Sequence, residues 1–338
     1  MAKKALLTGI TGQDGSYLAE FLLEEGYEVG GLIKSISTNH LGNIEHLRHE
    51  IKFFRGSLDD ELSIESAIST FKPDEIYNLG AEAAPADSFK RRVYTSDVNA
   101  LGPLRVFESA LRLRKTGHDV KVYQASTSEM FGAPKQVPQN EETPFIPNNP
   151  YGAAKLCAHN NARILREGTD QLFVCCGILF NHESPRRGMQ YVTRKVSVAV
   201  ACIANKVKDP PLNEIGEPII TRDWKVRMGN LDAKRDWGYA YEYVRAMHKM
   251  LQQDKPDEYV IATGETHSVE ELVKAAFDHV GLNWEDHVIV DEEFVRPLET
   301  GPLCGDPAKA TNVLGWKPSV TFKELVGIMV DADLAKFS

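Results

Sequence analysis

A glycine-rich turn between a strand-like run and a helix-like segment constrains the fold of this 338-residue chain more than any other feature. The run "KALLTG" reads as a strand, and "TGITGQDGSYL" then sets Gly9, Gly12 and Gly15 at GxxGxxG spacing. Glycines at such a turn let the backbone approach a diphosphate, whose charge lies at the N-terminus of the following helix. The turn predicts a dinucleotide-binding βα unit, with a ligand-free glycine turn as the alternative. The helix is expected to begin at Ser16 as N-cap and to end at Gly26.

Strand-like and helix-like segments alternate through the first 180 residues. Helical periodicity marks "ELSIESAISTF", "VNALGPLRVFESALRLR" and the segment that begins at Tyr151. The strand-like runs are "YEVGGLI", "IKFF", "EIYNLGA", "VKVYQAS" and "LFVCCGILF". This order is typical of an α/β fold with a doubly wound parallel sheet, the Rossmann arrangement, with right-handed crossovers.

The regular alternation of strand-like and helix-like segments ends after Phe180, which indicates a second, smaller domain. "NHESPRRG", "KDPPLNEIGEP" and "DEEFVRPLET" carry many turn residues and charges, whereas "DEYVIATG" reads as one more strand. We therefore predict two interleaved domains. Residues 1–180 plus 231–264 form the dinucleotide-binding Rossmann domain, and residues 181–230 plus 265–338 form the smaller, substrate-binding domain.

Charge and hydropathy exclude several classes of partner. The net charge is -9, and acidic and basic residues are interspersed, which argues against nucleic acid or an acidic membrane as partner. No stretch approaches the ~20 apolar residues of a membrane span, and the N-terminus lacks the features of a signal peptide. Five cysteines without a CxxC motif fit reduced thiols, so we expect a soluble cytoplasmic protein. The pair His46 and His49 has no third partner at metal-ligand spacing, so no metal site is expected.

Two short motifs carry candidate chemistry. In "PNNPYGAAK", Pro150 suits the start of a helix, which places Lys155 one turn beyond Tyr151 on the same face. An ammonium beside a phenol favours phenolate and makes Tyr151 a possible base, although an ordinary helical face has the same spacing. In "QASTSEMFG", Thr127, Ser128 and Glu129 follow a strand at the edge where open α/β sheets bind ligands. A carboxylate there can move protons, and a capping box is the alternative.

The end of the second strand indicates which dinucleotide binds. NAD-specific folds usually carry an acid here for the adenosine ribose, but this chain reads "IKS". Lys34, together with Ser35, Ser37 and Thr38, would suit a 2′-phosphate instead. The sequence therefore predicts NADP rather than NAD.

Seven motifs in order carry a resemblance to a known family. They are the glycine turn, "QASTSEMFG", "PYGAAK", "GILFNHESPRRG", "VTRK", "GNLDAKRDWG" and "RPLETGPLCGD". Together they resemble the GDP-mannose 4,6-dehydratase family of the extended short-chain dehydrogenase/reductase superfamily, over nearly the whole chain. The resemblance implies a lyase of nucleotide-sugar metabolism and deoxysugar biosynthesis, a GDP-sugar substrate, and a homo-oligomer, either tetramer or dimer.

The resemblance also implies a role for each catalytic side chain. Tyr151 would take the proton of the sugar 4-hydroxyl as hydride leaves C4 for NADP, with Lys155 lowering the Tyr151 pKa and holding the nicotinamide ribose. Thr127 would bind the 4-oxygen. Glu129 would remove the C5 proton and pass a proton to the departing 6-hydroxyl. Hydride would then return to C6, which leaves a 4-keto-6-deoxy sugar.

Binding residues follow from the same resemblance. Asn181, Arg235 and Arg296 would lie near the diphosphate, Val192, Thr193 and Lys195 near the guanine, and Glu299 on the nucleotide ribose. Ordinary surface ion pairing is the alternative for Arg186, Arg187 and Arg235. The predicted cofactor-binding residues are Gly9, Gly12, Gln13, Asp14, Gly15, Lys34, Ser35, Leu58, Leu79, Ala81, Tyr151 and Lys155.

Several positions depart from the family pattern. Glu82, Ala83, Ala84 and Pro85 replace Gln-Ser-His-Val, Ser57 replaces an Asp beside the adenine, and Lys34 stands where the family has two arginines. Asn148 and Asn149 replace Arg-Ser and are expected to face the hexose together with Ala83 and Ala84.

These departures leave other functions open. A 4,6-dehydratase for another sugar, such as a GDP-heptose, is one alternative, since alanines leave more room than His and Ser. An NADP-dependent epimerase or reductase, which would not need Glu129, is the second. A non-catalytic NADP-binding protein is the third.

Overall fold

The computed structural model describes residues 2–34, 41–213, 216–292 and 303–338. Its strands are β1 (Lys4–Thr8), β2 (Glu28–Ile33), β3 (Lys52–Arg55), β4 (Glu75–Asn78), β5 (Lys121–Thr127), β6 (Phe173–Leu179), β7 (Asn181–Glu183), β8 (Val226–Met228), β9 (Lys234–Arg235), β10 (Trp237–Tyr239), β11 (Glu258–Ile261), β12 (His267–Ser268) and β13 (Val288–Val290). Its α-helices are α1 (Gln13–Glu24), α2 (Glu61–Phe71), α3 (Pro85–Ser88), α4 (Arg92–Ser96), α5 (Gly102–Lys115), α6 (Pro150–Glu167), α7 (Val192–Ala204), α8 (Ala240–Leu251), α9 (Val269–His279), α10 (Ala308–Leu314) and α11 (Phe322–Lys336).

A seven-stranded parallel sheet forms the centre of the molecule. Its strand order is β11-β6-β5-β4-β1-β2-β3, so the chain reverses its direction of winding between β1 and β4. The central strands are buried on both faces because helices cover each side, which explains their continuous apolar runs. This arrangement confirms the predicted doubly wound α/β fold.

Two apolar layers enclose this sheet. Residues of α1, α8 and α10 pack on one face, and residues of α2, α5 and α6 pack on the other. Ala310, Leu314 and Trp316 belong to the first layer, although the predicted division assigns residues 265–338 to the smaller domain. The predicted domain boundaries stay an interpretation. The segment around Ala310, Leu314 and Trp316 packs against the main sheet.

The bounds of the predicted elements agree closely with the structure, with one correction at α1. Helix α2 has the predicted limits, and Gly26 follows α1 with a φ of 80°. However, α1 begins three residues before Ser16, with Gly12 as N-cap. The prediction of Ser16 as cap was wrong, because the glycine turn leads directly into the helix and the Ser16 hydroxyl donates to the Gln13 carbonyl at 2.8 Å.

A third apolar cluster lies beside the sheet and is built from α7, α9, α11 and the short strands β8 and β13. Helices α7 and α11 are joined inside it by a buried ion pair between Arg194 and Asp333. The Ser197 hydroxyl also donates to Asp333, at 2.7 Å. Burying these charges requires such pairing, since an isolated charge in this environment is strongly disfavoured. In the described part of the chain, no helix combines the length and the apolarity needed to cross a membrane.

The Asp333→Ala variant should unfold far more easily than the native protein. It leaves the Arg194 guanidinium buried without its carboxylate, and breaking such a pair costs about 3–5 kcal/mol. Asp331→Ala is the matched control, because Asp331 lies on the same helix, is largely exposed and pairs with the half-exposed His279. Urea unfolding of the two variants compares them directly. Equal midpoints would contradict a stabilising role for the buried pair.

Candidate active site

A cleft of about 270 Å³ opens at the carboxyl ends of β1, β4, β5 and β6. It therefore lies beside the point where the sheet reverses its winding, which is where open α/β sheets bind ligands. Residues of the third apolar cluster and its loops close the other side. The cleft thus has one wall from the sheet and one from the smaller part of the molecule.

The glycine turn brings the start of α1 to this cleft. Gly9 has a φ of 68°, and a Cβ at this position would lie 2.8 Å from the Gly80 nitrogen. A Cβ on Gly15 would collide with the Gly9 carbonyl, while the Gly12 amide donates to that same carbonyl at 3.0 Å. Only glycine at positions 9 and 15 allows the backbone to pack this closely. The turn therefore packs tightly against the backbone at Gly80 and leads directly into α1.

Tyr151 and Lys155 lie on the first turns of α6, as predicted, and both line the cleft. The Lys155 ammonium donates to the Ala125 carbonyl at 2.9 Å and lies 5.9 Å from the centre of the Tyr151 ring. Burial lowers the pKa of Lys155 to about 8, against the opposing field of Asp14. The Ala125 carbonyl thus fixes the direction of the Lys155 ammonium, and burial reduces its basicity.

Burial sets the acidity of Tyr151. It raises the pKa of the Tyr151 phenol well above its usual value, and nearby Tyr191 and Glu129 raise it further, while the Thr127 hydroxyl acts in the opposite direction. The sequence-based expectation that Lys155 makes Tyr151 more acidic is therefore outweighed here by the loss of solvent around the phenol.

Thr127 and Glu129 lie at the end of β5 and reach the same cleft. The Glu129 amide donates to the Thr127 hydroxyl at 3.2 Å, within a single 3₁₀ turn that spans Ser128–Met130. Ser126 instead shares a hydrogen bond of 2.9 Å with His159. The alternative capping box from Ser126 to Glu129 does not form, so the Glu129 carboxylate is left to face the cleft.

Asp14 and His182 form an ion pair that joins α1 to the strand β7. The His182 Nε2 lies 2.8 Å from an Asp14 carboxylate oxygen, and its Nδ1 donates to the Phe180 carbonyl at 2.7 Å. Both ring nitrogens therefore face acceptors, which favours imidazolium. Burial opposes this charge, but Asp14 outweighs it and raises the pKa of His182. Burial likewise opposes the Asp14 charge, but His182 outweighs it and lowers the pKa of Asp14.

The two arginines of "NHESPRRG" have different positions. Arg187 lines the cleft, lies 3.2 Å from the Glu183 carboxylate and packs its guanidinium 3.7 Å from the Tyr191 ring. The Tyr191 hydroxyl then donates across the cleft to the Ala83 carbonyl at 3.1 Å. Arg186 points away and pairs with Glu20 at 2.6 Å. The ion-pair interpretation therefore holds for Arg186, whereas Arg187 belongs to the cleft.

Asn149 and Asn148 do not line the cleft, in contrast to the expectation that both face the hexose. The side-chain oxygen of Asn149 caps α6, and its side-chain nitrogen donates a hydrogen bond to Glu129. Of the other departures, Ala83, which replaces the family's serine, lines the cleft, whereas Ala84, which replaces the histidine, lies outside the lining.

The predicted site residues are brought together to different degrees. Gly9, Gly12 and Gly15 form the turn. The side-chain amide of Gln13 donates to the Asp14 carboxylate and to the His182 carbonyl. Leu58 is buried beside the turn, against Gly80 and Gly102. Lys195 is buried on α7 outside the lining. Ser35, Arg296 and Glu299 fall outside the described residues. The predicted residues that line the cleft are Asp14, Leu79, Ala81, Thr127, Glu129, Tyr151, Lys155, Asn181, Val192, Thr193 and Arg235.

Sequence reasoning missed several groups around the cleft. His182, Glu183 and Tyr191 line it and carry its ion pairs and hydrogen bonds. Their position was the available signal, because they follow β6 directly at the same edge of the sheet as Thr127. Across the described ranges there is no cluster of three or more potential metal ligands, and His46 hydrogen-bonds to Glu20 at 2.6 Å.

The fold and this cleft define the class of protein. A Rossmann sheet that places a threonine, a tyrosine and a lysine four residues beyond it around one cleft is a dehydrogenase/reductase of the short-chain type. The family model for GDP-mannose 4,6 dehydratase matches residues 6–329. The chain belongs to the GDP-mannose 4,6-dehydratase family, which is a family of hydro-lyases, and the predicted resemblance is confirmed.

Individual relatives agree with this assignment. GDP-mannose 4,6 dehydratase 1 of Arabidopsis thaliana is 47% identical over 98% of this chain and 90% of its own length. The Homo sapiens GDP-mannose 4,6 dehydratase is 46% identical, over 98% and 91%. Among solved structures, UDP-glucose 4-epimerase of Thermus thermophilus superposes with a TM-score of 0.81 at 24% identity, over 98% of both chains. At this level of identity, the similarity to the epimerase shows a shared fold alone.

Replacing His182 by Phe should destabilise the protein in a pH-dependent way. The pKa of His182 is raised above 6.5, so its stabilisation is complete below pH 6.5 and is lost as the pH rises through the folded value. The pKa of Asp14 is lowered from 3.8, so its share is present above pH 3.8 and is lost on further acidification. The difference in melting temperature from the native protein should be greatest between these limits. His46→Phe, which removes a half-exposed His–Glu pair, is the control, and a flat difference for His182→Phe would contradict the ion pair.

Proposed function

We propose that this protein converts GDP-mannose, or a close GDP-sugar, into the GDP-4-keto-6-deoxy sugar with loss of water, using bound NADP. The observation that carries the proposal is the convergence of Thr127, Glu129, Tyr151 and Lys155 on one cleft. An epimerase or reductase of this class has no use for the carboxylate of Glu129. Membership of the dehydratase family supports the same reaction.

The glycine turn supports a dinucleotide. Gly9 and Gly15 allow the turn to pack tightly against neighbouring backbone, and α1 begins there with the positive end of its dipole. Leu79 and Ala81 supply apolar surface beside it. A dinucleotide held by these residues would supply the acceptor and donor of hydride, and its positive ring charge would favour phenolate at Tyr151.

Tyr151 takes the proton of the 4-hydroxyl, and Thr127 holds the oxygen of the resulting ketone. Thr127 suits this role because the pKa of Tyr151 responds to its hydroxyl and because both side chains line the cleft. Lys155 is fixed by the Ala125 carbonyl at a distance that lets its ammonium favour phenolate through its field.

Glu129 removes the C5 proton and returns a proton to the 6-hydroxyl, which leaves as water. The proton that Tyr151 took from the 4-hydroxyl is delivered to C5 when hydride adds at C6. The C5 proton becomes acidic only once C4 is a ketone, so this carboxylate acts after Tyr151. Its burial beside Tyr151 fits the order, because both groups then reach neighbouring carbons of one sugar ring. Because the Glu129 carboxylate adds this second proton transfer, the expected outcome is loss of water rather than inversion of a hydroxyl.

Lys34 favours NADP over NAD. It lies at the end of β2, where its ammonium donates to the Tyr94 hydroxyl at 3.0 Å, and this hydrogen bond raises the pKa of Lys34. A permanently charged ammonium at this place suits a 2′-phosphate. The neighbouring Ser35 belongs to the proposal as a sequence expectation.

The nucleotide is held on the opposite wall. Arg187 and Arg235, with Asn181, supply cations and a hydrogen-bonding amide for the diphosphate of a protein that is otherwise net acidic. Val192 and Thr193 at the start of α7, followed by Lys195, are assigned to the guanine. Arg296, Glu299, the homotetramer or dimer and the cytoplasmic location belong to this proposal as sequence expectations.

Incubation of the purified protein with GDP-mannose tests the proposal through the mass of the product. Loss of one water is expected, an unchanged mass with an inverted hydroxyl would indicate an epimerase, and no reaction would leave a binding protein. Parallel incubations with a GDP-manno-heptose and a UDP-sugar test the hexose and the base. The dinucleotide released on denaturation should be NADP, and NAD alone would contradict the role of Lys34.

Glu129→Gln should block water loss while C4 oxidation continues. Overall turnover should fall by about 10²-fold or more, which is the usual contribution of a general base, and reduced cofactor should accumulate. Absorbance of the reduced dinucleotide and exchange of the C5 hydrogen with solvent measure the two steps separately. Glu142→Gln, an exposed position, is the control. Exchange at the native rate in Glu129→Gln would argue against this base.

A further inference from the structure

The side-chain amide of Asn149 makes three hydrogen bonds: a longer one from its nitrogen to the Asn148 side-chain oxygen at 3.2 Å, and two shorter ones that fix its orientation. Its oxygen accepts from the Gly152 backbone amide at 2.8 Å, which makes Asn149 the N-cap of α6. Its nitrogen donates to a carboxylate oxygen of Glu129, also at 2.8 Å. A flipped amide would set two donors together at Gly152 and two acceptors together at Glu129, so the assignment of the two ends is determined.

Close packing keeps the two segments at this distance. A Cβ on Gly152 would lie 2.5 Å from the Glu129 carbonyl oxygen and 3.2 Å from the Pro147 side chain. The first turn of α6 therefore rests directly on the 3₁₀ turn that carries Glu129. Asn149 connects the segment that holds Tyr151 with the segment that holds Glu129.

Glu129 needs such a donor. The residue is 9% exposed, and among the residues that the structure describes no side chain other than Asn149 donates a hydrogen bond to its carboxylate. A hydrogen bond to the charged form of a carboxylate stabilises that form and fixes its direction.

We infer that Asn149 is a positioning residue for the reaction: it holds the Glu129 carboxylate directed toward the C5 proton. The inference rests on the proposed function, in which Glu129 is the base. It assigns to Asn149 a task separate from capping α6. A serine here, as the resembling family shows, could still cap the helix. Its hydroxyl is attached directly to Cβ and does not present a donor and an acceptor on two separate atoms, as the Asn149 amide does.

Two substitutions separate the tasks, because both keep a good N-cap acceptor for Gly152. Asn149→Ser removes the amide donor to Glu129, and Asn149→Asp replaces it with a second carboxylate. Asn149→Ser should melt near the native temperature, and its turnover should fall on the order of tenfold with little change in KM. Turnover of Asn149→Asp should fall further, because two neighbouring carboxylates repel each other.

The outcomes are decisive in either direction. Native turnover in Asn149→Ser would overturn the inference and leave Asn149 as a cap only. Asn161→Ser is the matched control, since Asn161 lies further along α6 and its partly exposed side chain hydrogen-bonds to Cys157 on the same helix. The control should keep native turnover.

A second measurement does not depend on activity. Crystal structures of the native protein and Asn149→Ser should show the Glu129 carboxylate turned away from its native direction in the variant. An unmoved and equally ordered carboxylate would count against positioning. If the native protein fails to dehydrate GDP-mannose, the proposed function falls, while this structural comparison still decides the role of Asn149.

Discussion

The partial or full burial of charged groups around the cleft is the constraint on which the site depends. Such charges have little solvent to stabilise them, so each is stabilised by a defined partner. Asp14 is paired with His182, Arg187 lies beside Glu183, and the Lys155 ammonium is bound to a carbonyl. These contacts hold the side chains in fixed directions before any ligand binds. They also join the glycine turn, the start of α6 and the loop after β6 into one unit.

The same burial explains why the basicity of Tyr151 cannot come from Lys155 alone. Burial raises the pKa of the Tyr151 phenol and lowers the pKa of the Lys155 ammonium, and both changes oppose formation of phenolate beside a charged ammonium. In the proposed mechanism, the positive charge of a bound nicotinamide would act in the opposite direction. Proton transfer would then depend on the presence of the group that takes the hydride.

Much of the fold was predictable, because local pattern and burial agree. The parallel strands are buried on both faces, which produces apolar runs such as "LFVCCGILF", and α2 carries a helical stripe up to its last residue. The start of α1 was misplaced because Ser16 is a good cap in isolation. The backbone geometry of the glycine turn decided otherwise.

The predicted site residues that the structure brings together lie in two short motifs. Thr127, Glu129, Tyr151 and Lys155 all line the cleft. His182 and Tyr191 escaped notice because their partners, Asp14 and Ala83, are more than 100 residues away in the chain. The hydrogen bond from Asn149 to Glu129, 20 residues earlier, was likewise not visible in local spacing, and the predicted place of Asn149 beside the hexose stays a prediction.

The hydrogen bond from Tyr191 to Ala83 has an evolutionary consequence. Its acceptor is a backbone carbonyl, which every amino acid offers, so the contact is indifferent to the side chain at position 83. That side chain nevertheless lines the cleft. Residue 83 is thus free to change in size and polarity while the two walls stay joined. Selection can reshape what the enzyme accepts without altering how it is assembled.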